Sequence, residues 1–373
     1  MFLLNNRNSA QKIISTFWLI AKLLSFKLWT SERLFPLVPS HSIFQNTHYI
    51  VHVACFIISI SILMLCVFFK PSKWLLLILL FTEVFSCMMD ITRWQPWEFQ
   101  YLSMLYVSII CVNDYQKCKQ WFALIVVSIY IYSGLHKFNF HFINNMWIET
   151  ILKDFLRITA SSIQQYKLAK LGFTLPIVET LAGIGLLSKF WQKKAAYVLI
   201  TMHVCILVIL GPLGINYNQI VWPWNMAMIG LLYVLFIKNK TSILNFNIIL
   251  LPSLYIIALL WLVMPIFSFW EKWPHYLSND LYSGKAMGMQ VLIQSKDSNN
   301  PLVKYSNVNS KKDSAISITV QHWAITELNT PQFPEWFYYK KIAEILKKRY
   351  GNNISFSLYN TPKKDSLNKI LNK

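Results

Sequence analysis

Residues 48–69, HYIVHVACFIISISILMLCVFF, are the stretch of sequence that decides the fold class. The stretch contains no aspartate, glutamate, lysine or arginine, and most of its side chains are apolar. About 20 such residues are enough for one helix to cross the hydrocarbon core of a bilayer. The stretch therefore predicts a transmembrane helix and indicates a membrane protein.

Similar apolar segments recur through the first 269 residues. They lie at about 13–30, 48–69, 72–89, 98–112, 120–138, 173–188, 194–210, 218–237 and 246–269. Of the 373 residues, 55% are hydrophobic and only 14% are charged, which is unlike a soluble domain. We therefore predict an all-α polytopic membrane bundle of about nine helices over 1–269. Lys22 and Lys27 interrupt the first segment, so it either crosses the bilayer or lies in its interface.

Lysines in the short loops predict the orientation. If the N-terminus is cytoplasmic and all nine segments cross, one side holds Lys70, Lys73, Lys117, Lys119, Lys189, Lys193, Lys194, Lys238 and Lys240. The opposite loops DITRWQPW (90–97) and GPLGINYN (211–218) carry no net charge. Basic loops stay in the cytoplasm, so we predict a cytoplasmic N-terminus, in the inner membrane if the host is a bacterium. The exception is the longer segment 139–172, which carries Lys153, Arg157, Lys167 and Lys170 on the outer side. Its helical apolar spacing predicts an interfacial helix.

The chain changes character at about residue 270. GMQVLIQS (288–295), ISITV (316–320) and ISFSLYN (354–360) are typical of strands. EWFYYKKIAEILKKRY (335–350) predicts one amphipathic helix. We therefore predict a small soluble α+β domain over 270–373 on the extracytoplasmic side.

Charge and cysteine content disfavour several classes of function. The formal net charge is +19, but the lysines lie in short clusters between apolar segments, which disfavours nucleic-acid binding. The six cysteines form no CxxC pair, and most lie in or beside apolar segments. The cysteines therefore predict no disulfide framework and no zinc-ligand spacing, and they disfavour direct thiol exchange. The sequence leaves metal content open, because Glu179 and His203 lie on different predicted spans.

Polar side chains in or near the apolar segments are the candidate functional residues, because a charge at the centre of a membrane helix costs at least about 2.5 kcal/mol. Glu83, Glu179 and His203 lie within predicted spans. At predicted outer helix ends lie Asp90, Arg93, Gln95, Gln100, His136, Lys137, Asn216, Asn218, Trp222 and Asn225. Their convergence on one membrane face predicts a pocket there, with Arg93 or Lys137 as the partner of the buried glutamates.

Each candidate also has a structural interpretation. Arg93 is three residues from Asp90, so the two side chains would simply pair. Lys137 would extend to the headgroups as a membrane anchor. A buried histidine such as His203 is commonly a hydrogen-bonded structural side chain.

The segment YIYSGLHKFNFHFINNMW (130–147) resembles a motif of the horizontally transferred transmembrane (HTTM) family, which includes the vitamin K-dependent γ-carboxylase. Gly134, Lys137, Phe138 and Trp147 occupy its places. The resemblance implies that Lys137 is the base that starts oxidation of a reduced quinone. PWEFQYL (96–102) lacks the histidine that the carboxylase has at this place, which disfavours glutamate carboxylation.

A second stretch, PIVETLAGIGLLSKFWQKKAAYVLITMHVCILVILGP (176–212), resembles the DoxX/MauE-type membrane proteins, a redox-associated group. The shared features are a glutamate among small residues (Glu179), a basic turn, and a helix with a methionine–histidine pair (His203). This resemblance implies a redox-associated role in the membrane.

Two hypotheses follow. The first is a redox or lyase-type enzyme at the outer face that acts on a quinone or another lipophilic substrate. Its catalytic residues would be Lys137, as the base, and His136. The substrate-binding set would be Arg93, Gln100, Glu83, Glu179, His203, Asn218, Trp222 and Asn225. The alternative is a non-catalytic membrane partner whose outer domain binds a periplasmic protein through a surface of Trp323, Pro331, Pro334 and Trp336. Membrane lipid is an expected partner in both.

Overall fold

A computed structural model describes residues 9–238, 252–294, 300–306, 315–360 and 370–371. Within them the chain is mostly helical, with one small sheet near the C-terminus. The α-helices are α1 (Ser9–Leu24), α2 (Phe26–Thr30), α3 (Tyr49–Phe68), α4 (Lys73–Met89), α5 (Pro96–Ile110), α6 (Tyr115–Lys137), α7 (Ala160–Gln165), α8 (Thr174–Gly185), α9 (Gln192–Leu210), α10 (Val221–Leu232), α11 (Tyr255–Ala258), α12 (Met264–Phe267), α13 (Val320–Leu328) and α14 (Trp336–Tyr350). Lys240 and the start of the last predicted span, 246–251, lie outside the described residues.

Five helical segments are long and apolar enough to cross a membrane. They are Tyr49–Phe68, Tyr115–Lys137, Leu168–Gly185, Gln192–Leu210 and Pro252–Trp270, and a shorter apolar helix covers Val221–Ile237. These segments indicate a membrane protein, as the composition predicts.

In the described part of the chain, the five helices that meet the length for spanning are fewer than the nine spans that the sequence predicts. The predicted apolar segments are helical there, but α1, α4, α5 and Val221–Ile237 have 17 residues or fewer. At 1.5 Å per residue, 17 residues reach about 26 Å, less than the roughly 30 Å hydrocarbon core. Apolar composition did not reveal where the first helix ends: α1 stops at Leu24, and Ser25 separates it from α2.

The chain folds as two compact units. Unit 1 comprises Met1–Leu23, Ile57–Val84 and Gln95–Gly284, and unit 2 comprises Leu24–Phe56, Phe85–Trp94 and Lys285–Lys373. The sequence predicts a boundary between 269 and 270, whereas the last segment of unit 2 begins at 285. Unit 2 also takes in two segments from the predicted membrane region, which the change in composition at residue 270 gave no reason to expect.

In unit 1, the segment predicted as an interfacial helix contains a π-helix at Phe142–Phe155. Phe142, Ile143 and Leu152 are its buried residues. Lys153 and Glu149 pair on its surface at 2.6 Å.

In unit 2, the three predicted strands form one antiparallel sheet. Its central strand is β1 (Gly288–Gln294), flanked by β2 (Ala315–Thr319) and β3 (Ile354–Tyr359). Met289, Val291 and Ile293 are fully buried, as expected of alternate residues on one face of a strand. The predicted helix is α14, whereas α13 was not predicted. Ser295 and most of the predicted loop after it lie outside the described residues.

The tryptophan- and proline-rich stretch of unit 2 is largely internal. Trp323 is fully buried, and its ring packs against Phe35 with the ring centroids 4.9 Å apart. Pro331 and Pro334 are also buried, and Trp336 is half-buried. The expectation that these residues form a binding surface is therefore wrong for three of the four, because their apolar rings supply the core of a small unit.

Candidate functional site

The C-terminal end of α6 carries the predicted base. The Lys137 ammonium lies 2.7 Å from Oε2 of Glu179 and donates to Oγ of Ser133 at 2.8 Å. The side chains of Lys137 and Glu179 are 14% and 6% exposed. Of the two partners that the sequence suggested for the buried glutamates, Arg93 and Lys137, it is Lys137 that pairs with Glu179. Lys137 is thus held by two partners, instead of extending as an isolated anchor.

Gly134 allows this pair to form. A Cβ at this position would lie 2.2 Å from Oγ1 of Thr180 and 2.9 Å from the carbonyl oxygen of Pro176, both on α8. Real Cβ atoms essentially never come that close, so only glycine permits this approach of α6 and α8. The close approach brings Glu179, the residue before Thr180, within reach of Lys137.

A second hydrogen-bonded chain runs from α6 to α10. The Tyr130 hydroxyl is 2.7 Å from Nε2 of His203, and Nδ1 of His203 is 2.6 Å from Oδ1 of Asn225. The amide nitrogen of Asn225 donates to the carbonyl of Val221, so its oxygen faces the histidine. His203 therefore carries its proton on Nδ1, and its Nε2 accepts from the tyrosine.

The two chains begin on the same face of α6. Tyr130, Ser133 and Lys137 are spaced three and four residues apart, which places them along one face of that helix. Segments 130–147 and 176–212 thus supply Lys137, Ser133 and Glu179 of the first chain and Tyr130 and His203 of the second.

His136 belongs to a different cluster. Its Nδ1 is 3.7 Å from Asp280, and its Nε2 is 3.1 Å from Oγ of Ser268. Asp280 also contacts Nδ1 of His275 at 2.5 Å. Burial raises the pKa of Asp280, but the hydrogen bond from His275 and the charges of His136 and His275 outweigh it, and the pKa lies below its usual range. Neighbouring residues on a helix point about a hundred degrees apart, which explains why His136 is not among the groups that hold Lys137.

The segment YLSNDLYSG (276–284) packs against the same region of unit 1. Asn139 donates to the carbonyl of Ser283 at 3.1 Å, and Asn218 donates to the Tyr282 hydroxyl at 2.8 Å. Burial raises the pKa of Tyr282 well above its usual value. Asn218 is therefore a residue that fixes this segment.

The remaining candidates on α5 and α10 are held by neutral hydrogen bonds. Gln100 accepts from the indole of Trp224 at 2.6 Å, and the indole of Trp222 donates to the carbonyl of Leu210 at 3.1 Å. These bonds fix the orientation of the side chains where α10 begins.

Two predicted site residues are elsewhere. Glu83 pairs with Lys22 at 2.7 Å, so the expectation that its partner is Arg93 or Lys137 is wrong. Arg93 lies in unit 2, is fully buried, and donates to the carbonyls of Leu28, Trp29 and Ser86. Burial lowers the pKa of Arg93 to about 10, and Asp90 lies 4.0 Å away, as its sequence spacing suggested. Arg93 thus has a structural role: it joins separate segments of unit 2 by hydrogen bonds to their backbone carbonyls.

Sequence reasoning missed several members of these clusters. Tyr130 and Ser133 had a usable signal, since they share a helix face with Lys137. Asp280 and His275 had none, because they lie more than a hundred residues after His136 and only the folded chain brings them together. No family model, curated protein or solved structure matches the chain, so the geometry of these clusters is what bears on function.

Proposed function

We propose that this chain is a membrane enzyme that performs acid–base chemistry on a lipophilic hydroxyl substrate such as a quinol, with Lys137 and Glu179 as its proton-transferring pair. The observation that carries the proposal is the Lys137–Glu179 pair itself: it is mostly buried at a helix end and linked to a second buried hydrogen-bonded chain. A buried ionisable pair in a membrane protein is a functional site by default.

The chemistry follows from the position of one proton. When the proton of the pair lies on Glu179, the Lys137 amine is neutral and has a free electron pair. It then accepts the proton of a substrate hydroxyl: the O–H bond breaks, an N–H bond forms, and the electron pair stays on the substrate oxygen. The resulting oxyanion is stabilised by the adjacent ammonium.

Tyr130, His203 and Asn225 are positioning residues in this proposal. The fixed tautomer of His203 accepts from Tyr130, which holds the phenol beside Glu179. The pair is mostly buried, which strengthens the attraction between its two charges, and Lys137 keeps 14% of its side chain exposed for contact with a substrate.

The orientation supports a site at the outer face. Lys117 and Lys119 lie in the first turns of α6, whereas Lys137 lies at its last residue. Lys189 lies between α8 and α9, and Lys193 lies at the start of α9. Both lysines are away from Glu179 and His203. With basic loops in the cytoplasm, the network is extracytoplasmic and so is the C-terminal part. The partner hypothesis lacks comparable support, because Trp323, Pro331 and Pro334 are internal.

The test uses the purified protein in detergent with a short-chain quinol under anaerobic conditions. Formation of bound quinolate is followed by ultraviolet difference absorbance across pH. We expect the wild type to bind the quinol and to ionise it at lower pH than free solution does. Lys137→Met abolishes the ionisation and retains the folded elution profile, and Lys137→Arg retains binding only, because an arginine stays protonated.

The matched control is Lys153→Met, which removes a more exposed lysine that is also paired with a glutamate. It should behave as wild type. The proposal fails if the wild type binds no quinol, or if Lys137→Met ionises it normally. Lipid extraction and mass spectrometry of the wild type add an independent readout, a co-purifying isoprenoid quinone.

A further inference from the structure

Unit 1 contains a second cluster of charged side chains that takes no part in the Lys137 network. Lys22 on α1, Glu83 on α4 and Glu98 on α5 are all completely buried. Lys22 lies 2.7 Å from Oε2 of Glu83, and the indole of Trp18 donates to Oε2 of Glu98 at 2.7 Å. Trp18 and Lys22 are four residues apart on one face of α1, so the two glutamates that they contact lie close together.

The charges of this cluster do not balance unless a proton is added. One ammonium and two carboxylates leave one uncompensated negative charge, which is very costly in a buried site. A proton on one of the two glutamates removes this charge and leaves the Lys22 ammonium balanced by a single carboxylate.

Unpaired oxygens mark where this proton lies. Within the described chain, Oε1 of Glu83, Oε1 of Glu98 and the hydroxyl of Tyr101 have no hydrogen-bond partner. Tyr101 is three residues after Glu98 on α5, interacts with it electrostatically, and is fully buried. The two carboxyl oxygens without a donor are the atoms on which an added proton would lie.

A proton suits this site better than a metal ion. The Lys22 ammonium already supplies one positive charge next to Glu83 and would repel a second cation. In the part of the chain that the structure describes, no group of three or more histidine, cysteine, aspartate or glutamate side chains is arranged to hold a metal.

We infer that Glu83 and Glu98 bind one exchangeable proton between their Oε1 atoms, within the helices of unit 1, with Lys22 balancing the remaining charge. A cavity of about 10 Å³ lies beside Trp18, the residue that donates to Glu98. Its polar lining includes Ser15, Cys66 and Ser108, and its volume is near the minimum for one water molecule.

Infrared spectroscopy of the purified full-length protein tests the inference at neutral pH, with exchange from H₂O to D₂O. We expect the C=O stretch of a protonated carboxylic acid that shifts in D₂O. The band should be lost in both Glu98→Gln and Glu83→Gln, and unchanged in Glu149→Gln, which alters an exposed glutamate. A wild type without such a band overturns the inference. A band that survives in both Glu83→Gln and Glu98→Gln also overturns it. A band that only Glu179→Gln removes is one such case.

Thermal stability gives a second readout. The amide introduced by Glu98→Gln would imitate the protonated acid, since it still accepts from Trp18 and donates to Glu83, so this variant should melt within about 2 °C of wild type. The double variant Glu83→Gln/Glu98→Gln leaves Lys22 without an anion and should melt about 10 °C lower. A comparable drop in Glu98→Gln alone, or none in the double variant, contradicts the inference. Melting temperatures in sodium chloride and in choline chloride test for a metal ion. If sodium stabilises the wild type more than choline does, and Glu98→Gln abolishes that difference, the site binds a metal cation and the inference is overturned.

Discussion

At the scale of single residues, Arg93 and Lys137 show two ways in which this chain accommodates a buried cation. The guanidinium of Arg93 uses all its N–H groups, on the carbonyls of Leu28, Trp29 and Ser86, the Ser86 hydroxyl and the ring of His52. Such a side chain has no free donor for a substrate. Lys137 has one carboxylate and one hydroxyl partner and remains partly exposed, so it alone retains access for chemistry.

Replacing Arg93 by lysine should destabilise the protein strongly. A lysine supplies a single charged group with three donors and cannot reproduce the planar fork that reaches three backbone carbonyls. The buried acceptors that lose their donor lower the free energy of unfolding by about 3–5 kcal/mol, which lowers the melting temperature by about 10 °C. Differential scanning fluorimetry in detergent measures it, with exposed Lys189→Met as the control. A melting temperature within about 2 °C of wild type would contradict the structural role that we assign to Arg93.

Asp280 should make stability depend on acid pH. Its folded pKa lies below that of an unfolded aspartate, about 3.9, so its ionised form stabilises the fold. That contribution is complete above the unfolded pKa and is lost as the pH falls through the folded pKa. Asp280→Asn should therefore be less stable than wild type at neutral pH, and the difference should shrink below about pH 4. Melting temperatures from about pH 3 to pH 7 measure it, and a difference that is constant with pH would refute the assignment.

At the scale of helices, the site depends on how closely α6 and α8 pack. The sequence pattern predicted both helices and, through the two resemblances, drew attention to Lys137, Glu179 and His203. It suggested Arg93 or Lys137 as the partner of Glu179, and the partner is Lys137. It did not reveal Glu98, because a glutamate in the first turn of a helix is an ordinary partner of the helix dipole. It assigned Glu83 the wrong partner, because Lys22 lies on a helix whose place in the bundle no local pattern specifies.

Gly134→Ala should separate α6 from α8. The added methyl would lie 2.8 Å from the backbone nitrogen of Thr180, which cannot move out of the way as a flexible side chain would. The expected cost is about 1–3 kcal/mol, together with loss of quinol ionisation, because Glu179 moves away from Lys137.

Gly230→Ala is the matched control for this change. An alanine there meets only the side chain of Ile13, at 3.2 Å, and it favours the helix. We expect wild-type ionisation and a melting temperature at or slightly above that of wild type. If Gly134→Ala and Gly230→Ala behave alike, the close packing of α6 and α8 is not what positions the pair.

At the scale of the whole molecule, composition predicted a membrane part and a small α+β part, and the strands and α14 are confirmed. It did not predict that unit 2 is built from three separate segments of the chain. Glu327 shows the physical reason: its carboxylate accepts from the backbone amides of Leu34 and Phe35. Those amides belong to a connecting segment, and their partner Glu327 is almost 300 residues away in sequence. Local hydropathy therefore could not predict this contact.

A fragment of residues 270–373 should therefore fail to fold alone. It lacks Leu24–Phe56 and Phe85–Trp94, so Trp323 would lose Phe35 and the Tyr338 hydroxyl would lose Thr92. Exposing these buried aromatic side chains to water removes a large share of the apolar burial available to so small a unit. We expect poor dispersion in the ¹H–¹⁵N spectrum of the fragment and no cooperative melting. Hydrogen exchange of the same residues in the full-length protein is the control, and it should show protected amides in β1 and α14. A dispersed spectrum and a cooperative melt for the fragment would show instead that the C-terminal sheet and helices form an independent domain, and that the N-terminal segments only rest against it.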